Sequence, residues 1–258
     1  MGFIDLNALS FKSFKIEMFF NETKLADGTA FFAGFGKKYM LVTNKHNVTG
    51  RNIITEEPIS CHGGIPNKIS VLIPNTVSDG KEGFVSKGLQ KFTIPLYNDD
   101  DMLEPMWVEH LTKEVDVVGL QFNPTEVETD RLILRIDETW QPLDVASRVN
   151  IIGYPFGLTT DHFPIWNTGF VASEPSIDVD GFPLMYIDAR TRQGQSGSPV
   201  IQVVNVGDTV QTENGTYVAK QKQYFMVGVY SGRVSQESDI GRVWKVTAIR
   251  ELFSIAQS

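Results

Sequence analysis

A chain of 258 residues that is 41% hydrophobic and 21% charged can bury an ample core, as one large domain or two small ones, without metal or disulfide staples. Its net charge of −8 with no Lys/Arg block argues against nucleic acid as a partner, and no apolar run approaches the roughly 20 residues of a membrane-spanning helix. The single cysteine, Cys61, cannot close an intramolecular disulfide, and charges at Asp5, Lys12, Lys15 and Glu17 break up any secretory apolar stretch in residues 1–20, so the expected location is cytoplasmic.

Strand-like segments recur with turn residues between them, and helical periodicity is nearly absent until the end. Residues 14–20 alternate loosely, and residues 28–33 and 37–43 flank Gly34-Phe35-Gly36, which predicts a hairpin leading directly to His46. Residues 68–73 and 91–96 read as strands separated by a surface loop over 74–90. A polar connection containing Asp99-Asp100-Asp101 precedes a strand over 115–122; the three aspartates lack the spacing of a calcium loop and read as a solvated turn. A boundary is expected within 123–141, dividing the chain into residues 1–132 and 133–258. Further strands follow at 147–153, 164–173, 183–188, 199–204 and 224–231, and Asn214-Gly215 reads as the tip of a polar excursion over 205–222. Only the tail changes period. Val246, Ile249, Leu252, Phe253 and Ala256 recur at helical spacing, predicting a C-terminal helix packed on the second half of an all-β protein.

The segment Gly194-Gln195-Ser196-Gly197-Ser198-Pro199-Val200 places a serine between glycines at the mouth of a strand. Glycines permit the tight turn that brings backbone N–H groups to one point, where they can hold an oxyanion. A serine hydroxyl is a poor nucleophile unless a base, normally histidine oriented by a carboxylate, takes its proton. All four histidines, His46, His62, His110 and His162, precede Ser196, which excludes the Ser-Asp-His order of α/β-hydrolases; a subtilisin-like order needs helices that this pattern lacks. His46 ends the apolar stretch Leu41-Val42-Thr43-Asn44-Lys45-His46, at a strand tip where a scaffold can present a base, whereas the other three lie in polar connections as ordinary surface histidines. Asp116 begins the apolar run Val115-Asp116-Val117-Val118 and is costly to bury unless paired.

These motifs, together with Gly28-Thr29-Ala30-Phe31-Phe32, resemble the chymotrypsin-like (trypsin-like) serine peptidases of bacterial type. Thr43-Asn44-Lys45-His46 and the Ser196 segment are similar to the motifs of glutamyl endopeptidases. Gly153-Tyr154-Pro155-Phe156-Gly157 and Asn167-Thr168-Gly169-Phe170-Val171 are similar to segments of high-temperature-requirement proteases. The resemblance, which spans about residues 28–246, implies two antiparallel Greek-key β-barrels with the site between them. It further implies a serine endopeptidase with catalytic His46, Asp116 and Ser196, an oxyanion hole from the N–H groups of Gly194 and Ser196, a protein or peptide substrate, and no metal or cofactor. Digestive members carry an aspartate before the serine, where this chain has Gln195, so their zymogen switch is expected to be absent and control to be constitutive or exerted by a regulatory protein partner. The specificity pocket is expected from Arg190, Thr191, Tyr230, Ser231, Gly232 and Gly241, with the two glycines leaving room for a large side chain. An inward Arg190 would favour an acidic residue before the scissile bond, whereas an outward one would not. A protease-fold binding module without turnover, and an esterase or acyltransferase using the same triad, are the alternative functions.

Overall fold

The computed structural model describes residues 7–60, 63–78, 84–99, 101–124, 127–137, 143–212, 215–235 and 237–256. Cys61, His62, Asp100 and Asn214, all singled out in the sequence, lie outside the described residues.

The first half is built from β1 (Phe14–Phe20), β2 (Thr23–Phe35), β3 (Lys38–Thr43), the one-turn helix α1 (Lys45–Thr49), β4 (Lys68–Ser78), β5 (Phe84–Pro95), β6 (Trp107–Glu109), β7 (Val118–Leu120) and β8 (Ile133–Arg135). These strands form one eight-stranded sheet in the order β5-β4-β1-β2-β3-β7-β6, with β8 joining β2 in parallel. In β1 the pleat turns Phe14, Ile16 and Met18 inward, where they meet Phe32, Leu41, Ile69 and Val71. The surface loop expected over 74–90 is instead largely strand, because β4 and β5 continue their antiparallel register past the bulge at Pro74 to the pair Ser78–Phe84. β8 lies beyond the expected division at residue 132 yet completes the first sheet.

The second half contains β9 (Arg148–Gly153), β10 (Ile165–Val171), β11 (Leu184–Asp188), β12 (Pro199–Val204), β13 (Thr209–Thr212), β14 (Gly215–Val218), β15 (Gln223–Arg233), β16 (Ile240–Lys245) and the helix α2 (Val246–Ile255). Six of these strands close a barrel in the order β10-β11-β16-β15-β12-β9, and β13 and β14 form the hairpin of the polar excursion.

One apolar cluster runs through both halves, joining Phe31, Val42 and Leu134 to Ile201, Val229 and Trp244. Helix α2 closes that seam. Its buried residues are Val246, Ala248, Ile249, Leu252 and Phe253, and its apolar face was expected to pack on the second half. It reaches both: the Phe253 ring lies 5.9 Å from that of Phe35, and Arg250 Nε donates to the Ile136 carbonyl at 2.8 Å. His110 also departs from expectation. Its side chain is only 6% exposed, its Nδ1 accepts the Thr112 N–H, and its Nε2 pairs with Glu251 of α2.

Candidate active site

The apolar strand β3 ends at Thr43, and the chain turns at once into α1, so that His46 sits in the helix's first turn. Asp116 approaches from the segment before β7 and is 3% exposed. Its burial is offset by three donors: Oδ1 accepts the His46 backbone N–H at 2.9 Å, while Oδ2 accepts His46 Nδ1 at 2.6 Å and Ser231 Oγ at 2.6 Å. A carboxylate can only accept, so Nδ1 carries the imidazole proton and Nε2 is left bare, the tautomer a general base requires. Asn44, fully buried, donates its Nδ2 to the Asp116 carbonyl at 2.6 Å and thereby ties the start of α1 to the segment carrying the carboxylate.

Ser196 is brought to this pair across the seam between the halves. Thr29 of β2 donates its N–H to the Ser196 carbonyl at 2.9 Å and its Oγ1 to the Gly194 carbonyl at 2.8 Å. Asn47 of α1 donates to the same Ser196 carbonyl at 3.1 Å. Thr43 Oγ1 in turn donates to the Thr29 carbonyl at 2.7 Å. The two backbones pass so closely that a side chain at Gly197, whose φ is +87°, would put its Cβ 2.0 Å from the Thr29 oxygen. His46 and Ser196 share one cavity of about 630 Å³, which also contains Gly194.

The Gln193 carbonyl accepts the Phe156 N–H at 2.6 Å. In a trans peptide the next N–H points the opposite way, so the Gly194 N–H is turned away from Phe156. Neither Gly194 N nor Ser196 N donates to a protein acceptor among the described residues. Phe156 holds its post with a left-handed backbone, φ +54°, that a phenylalanine adopts only under constraint. Gln195, fully buried, uses both ends of its amide: Oε1 accepts the Arg192 N–H at 2.8 Å and Nε2 donates to Asn167 Oδ1 at 3.0 Å. These neutral bonds brace the loop before Ser196 from within the barrel.

No protein-family model and no curated protein matches the chain. Solved structures do resemble it. The serine endoprotease from Yersinia pestis aligns over 96% of this chain and 64% of its own with 13% identity and a TM-score of 0.54. The thermostable serine protease AL20 from an extremophilic microorganism aligns over 98% of this chain and 100% of its own with 10% identity and a TM-score of 0.54. The chain has the chymotrypsin-like serine peptidase fold.

Within that fold the six residues expected to line a specificity pocket occupy different surroundings. Ser231 borders a second cavity of about 390 Å³ beside His46 and Asp116, and its hydroxyl is committed to Asp116. Thr191 and Tyr230 are buried and bonded to each other through their hydroxyls, and burial pushes the Tyr230 phenol up to about 12. The Tyr230 ring takes the space over Gly241, where an added Cβ would lie 2.7 Å from Cε2. Gly232 faces open space, and Arg190 is exposed, its carbonyl accepting Asn167 Nδ2 at 2.9 Å. Sequence reasoning missed Thr29, Asn44, Asn47 and Phe156 as supports of the site. Thr29 and Asn44 lay inside motifs already singled out, whereas nothing local marks the Asn47 bond across 149 residues.

Proposed function

We propose that the chain is a serine endopeptidase working through His46, Asp116 and Ser196. The observation that carries this reading is the arrangement at His46. A buried carboxylate with three donors fixes the proton on Nδ1, and His46 shares a cavity with Ser196 and with Gly194, whose N–H meets no protein acceptor among the described residues. In the proposed reaction Ser196 Oγ attacks the substrate carbonyl as His46 Nε2 takes its proton. The oxyanion is held by Gly194 N and Ser196 N, and His46 returns the proton to the leaving amine. Water then repeats the sequence to release the acid and free Ser196. Asp116 stays ionised and stabilises the imidazolium.

Gln195 supports a constitutive rather than a zymogen-activated enzyme, since its amide braces the loop with no need of an amine freed by cleavage. Incubating an unfolded protein such as reduced casein with the chain is expected to generate new peptide termini, detected by mass spectrometry, and the Ser196→Ala variant is expected to generate none. Casein left intact under conditions where a simple ester is hydrolysed would favour the esterase alternative.

A further inference from the structure

The chain carries a net charge of −8, yet one place on the seam between its halves gathers cations. A cavity of about 270 Å³ lies there between β8 and the start of β15, lined by Arg135, Ile136, Lys222, Tyr224, Phe225 and Met226 with no acidic residue among them. Arg135 is seated against β2. A Cβ at Gly34 would lie 2.8 Å from its Nη1 and 3.3 Å from its Cδ, so the glycine leaves the guanidinium its room. The Arg135 Nε lies 3.6 Å from Asp137 Oδ2, but that carboxylate also serves the turn before β3, where its Oδ1 accepts the Gly36 N–H at 2.6 Å. Lys222 forms no ion pair among the described residues. A third cation stands behind the wall: Lys12 Nζ donates to the Ile133 carbonyl of β8 at 2.8 Å and to Tyr224 Oη of β15 at 3.4 Å, and lies 5.5 Å from the centre of the Tyr224 ring. Burial first, and the Arg135 charge after it, pull this ammonium down to about 8, well below the ordinary lysine range. An anion in the cavity would relieve that crowding of like charge.

We infer that this cavity is a binding site for a phosphate dianion, free or carried on a small apolar ester, that bridges the two halves of the chain. The fork of the Arg135 guanidinium presents paired N–H donors to two phosphate oxygens, and Lys222 adds a point charge from the segment leading into β15. A volume just under the about 300–1,000 Å³ of drug-sized sites restricts the ligand to a small one. Ile136, Phe225 and Met226 give the apolar group of an ester a surface to lie on. The strands on either side lead to the candidate active site: β8 pairs with β2, which carries Thr29, and β15 carries Ser231, the donor to Asp116. An anion held by both cations therefore ties together the two strands whose apposition brings Ser196 to His46.

Calorimetric titration of the full-length Ser196→Ala chain tests the site without any dependence on turnover. Inorganic phosphate and phenyl phosphate are titrated at about pH 8, where both are mainly dianions, at fixed ionic strength and with sodium chloride as the control. One saturable site per chain is expected, and saturation is expected to raise the melting temperature, because a ligand of the folded state stabilises it. Tighter binding of phenyl phosphate assigns the site to an ester, and equal binding assigns it to free phosphate. Arg135→Gln and Lys222→Gln, both at exposed positions, are each expected to weaken binding by about tenfold. These variants also decide where the ligand sits, since the Gly194 and Ser196 N–H groups could take an anion but would be unaffected by either change. No saturable heat, an equal rise in melting temperature with sodium chloride, or an affinity unchanged in both variants overturns the inference and leaves the peptidase reading intact.

Discussion

Replacing Asp116 by asparagine is expected to lower kcat by about 10⁴-fold, close to 5.5 kcal/mol of transition-state stabilisation, while the variant folds and binds peptide normally. The cause lies in the donor count around one side chain. Asp116 Oδ2 accepts from both His46 Nδ1 and Ser231 Oγ, and Oδ1 accepts the His46 backbone N–H. An asparagine with its NH₂ at the Oδ2 position donates to Nδ1, which forces the proton onto Nε2 and leaves no base for Ser196. With the amide reversed, its NH₂ meets the backbone N–H of His46, donor against donor. Steady-state kinetics on a peptide substrate, with circular dichroism to show that the fold is retained, checks the expectation. A loss of less than tenfold would mean that Asp116 does not orient His46.

The second large effect is expected at Gly197. Alanine there must tolerate φ +87° and a Cβ 2.0 Å from the Thr29 carbonyl oxygen, with Thr43 Oγ1 at 2.4 Å. Left-handed backbone alone costs a non-glycine residue about 1–2 kcal/mol. The contact with β2 backbone cannot be relieved by a rotamer change, so Gly197→Ala is expected to destabilise by more than about 4 kcal/mol or to part the two halves at Ser196. Gly181→Ala supplies the control, because its φ is +78° with nothing within 4 Å of the added methyl, and only the backbone cost of about 1–2 kcal/mol is expected. Denaturant midpoints of the two variants separate collision from strain. Equal losses would show that the close approach of the halves at Thr29 is not a constraint.

The parts of the molecule legible in its sequence are those with a short-range signature. Apolar alternation marked β1, the histidine order excluded the α/β-hydrolase arrangement, and the spacing of Val246, Ile249, Leu252, Phe253 and Ala256 gave α2 its apolar face. What α2 packs against was not legible, because a helical period specifies a face and not its partner; Phe35 belongs to β2 and Ile136 follows directly on β8, both of the first sheet. The β4–β5 pairing was cut short by the surface loop expected over 74–90, yet a bulge absorbs Pro74 at the start of that stretch and the register resumes. Tyr230 and Gly241 illustrate the opposite error. Their spacing from Ser196 says where they fall along β15 and β16, but a glycine that looks like empty space in sequence is filled here by the tyrosine ring. Gln195 was visible only as a departure from the aspartate of zymogen-activated enzymes. Its bonds to Arg192 and Asn167 turn that departure into a physical brace.

In the proposed enzyme His46 makes Ser196 a nucleophile. A fluorophosphonate probe tests it most directly, since it reacts at serine only when a base removes the proton and an anion site accepts the P–O oxygen. Intact-protein and peptide mass spectrometry are predicted to show one adduct per chain, on Ser196, that is absent in Ser196→Ala and forms far more slowly in Asp116→Asn. An unlabelled native chain, or an adduct that persists in Ser196→Ala, would show that Ser196 is not the activated nucleophile.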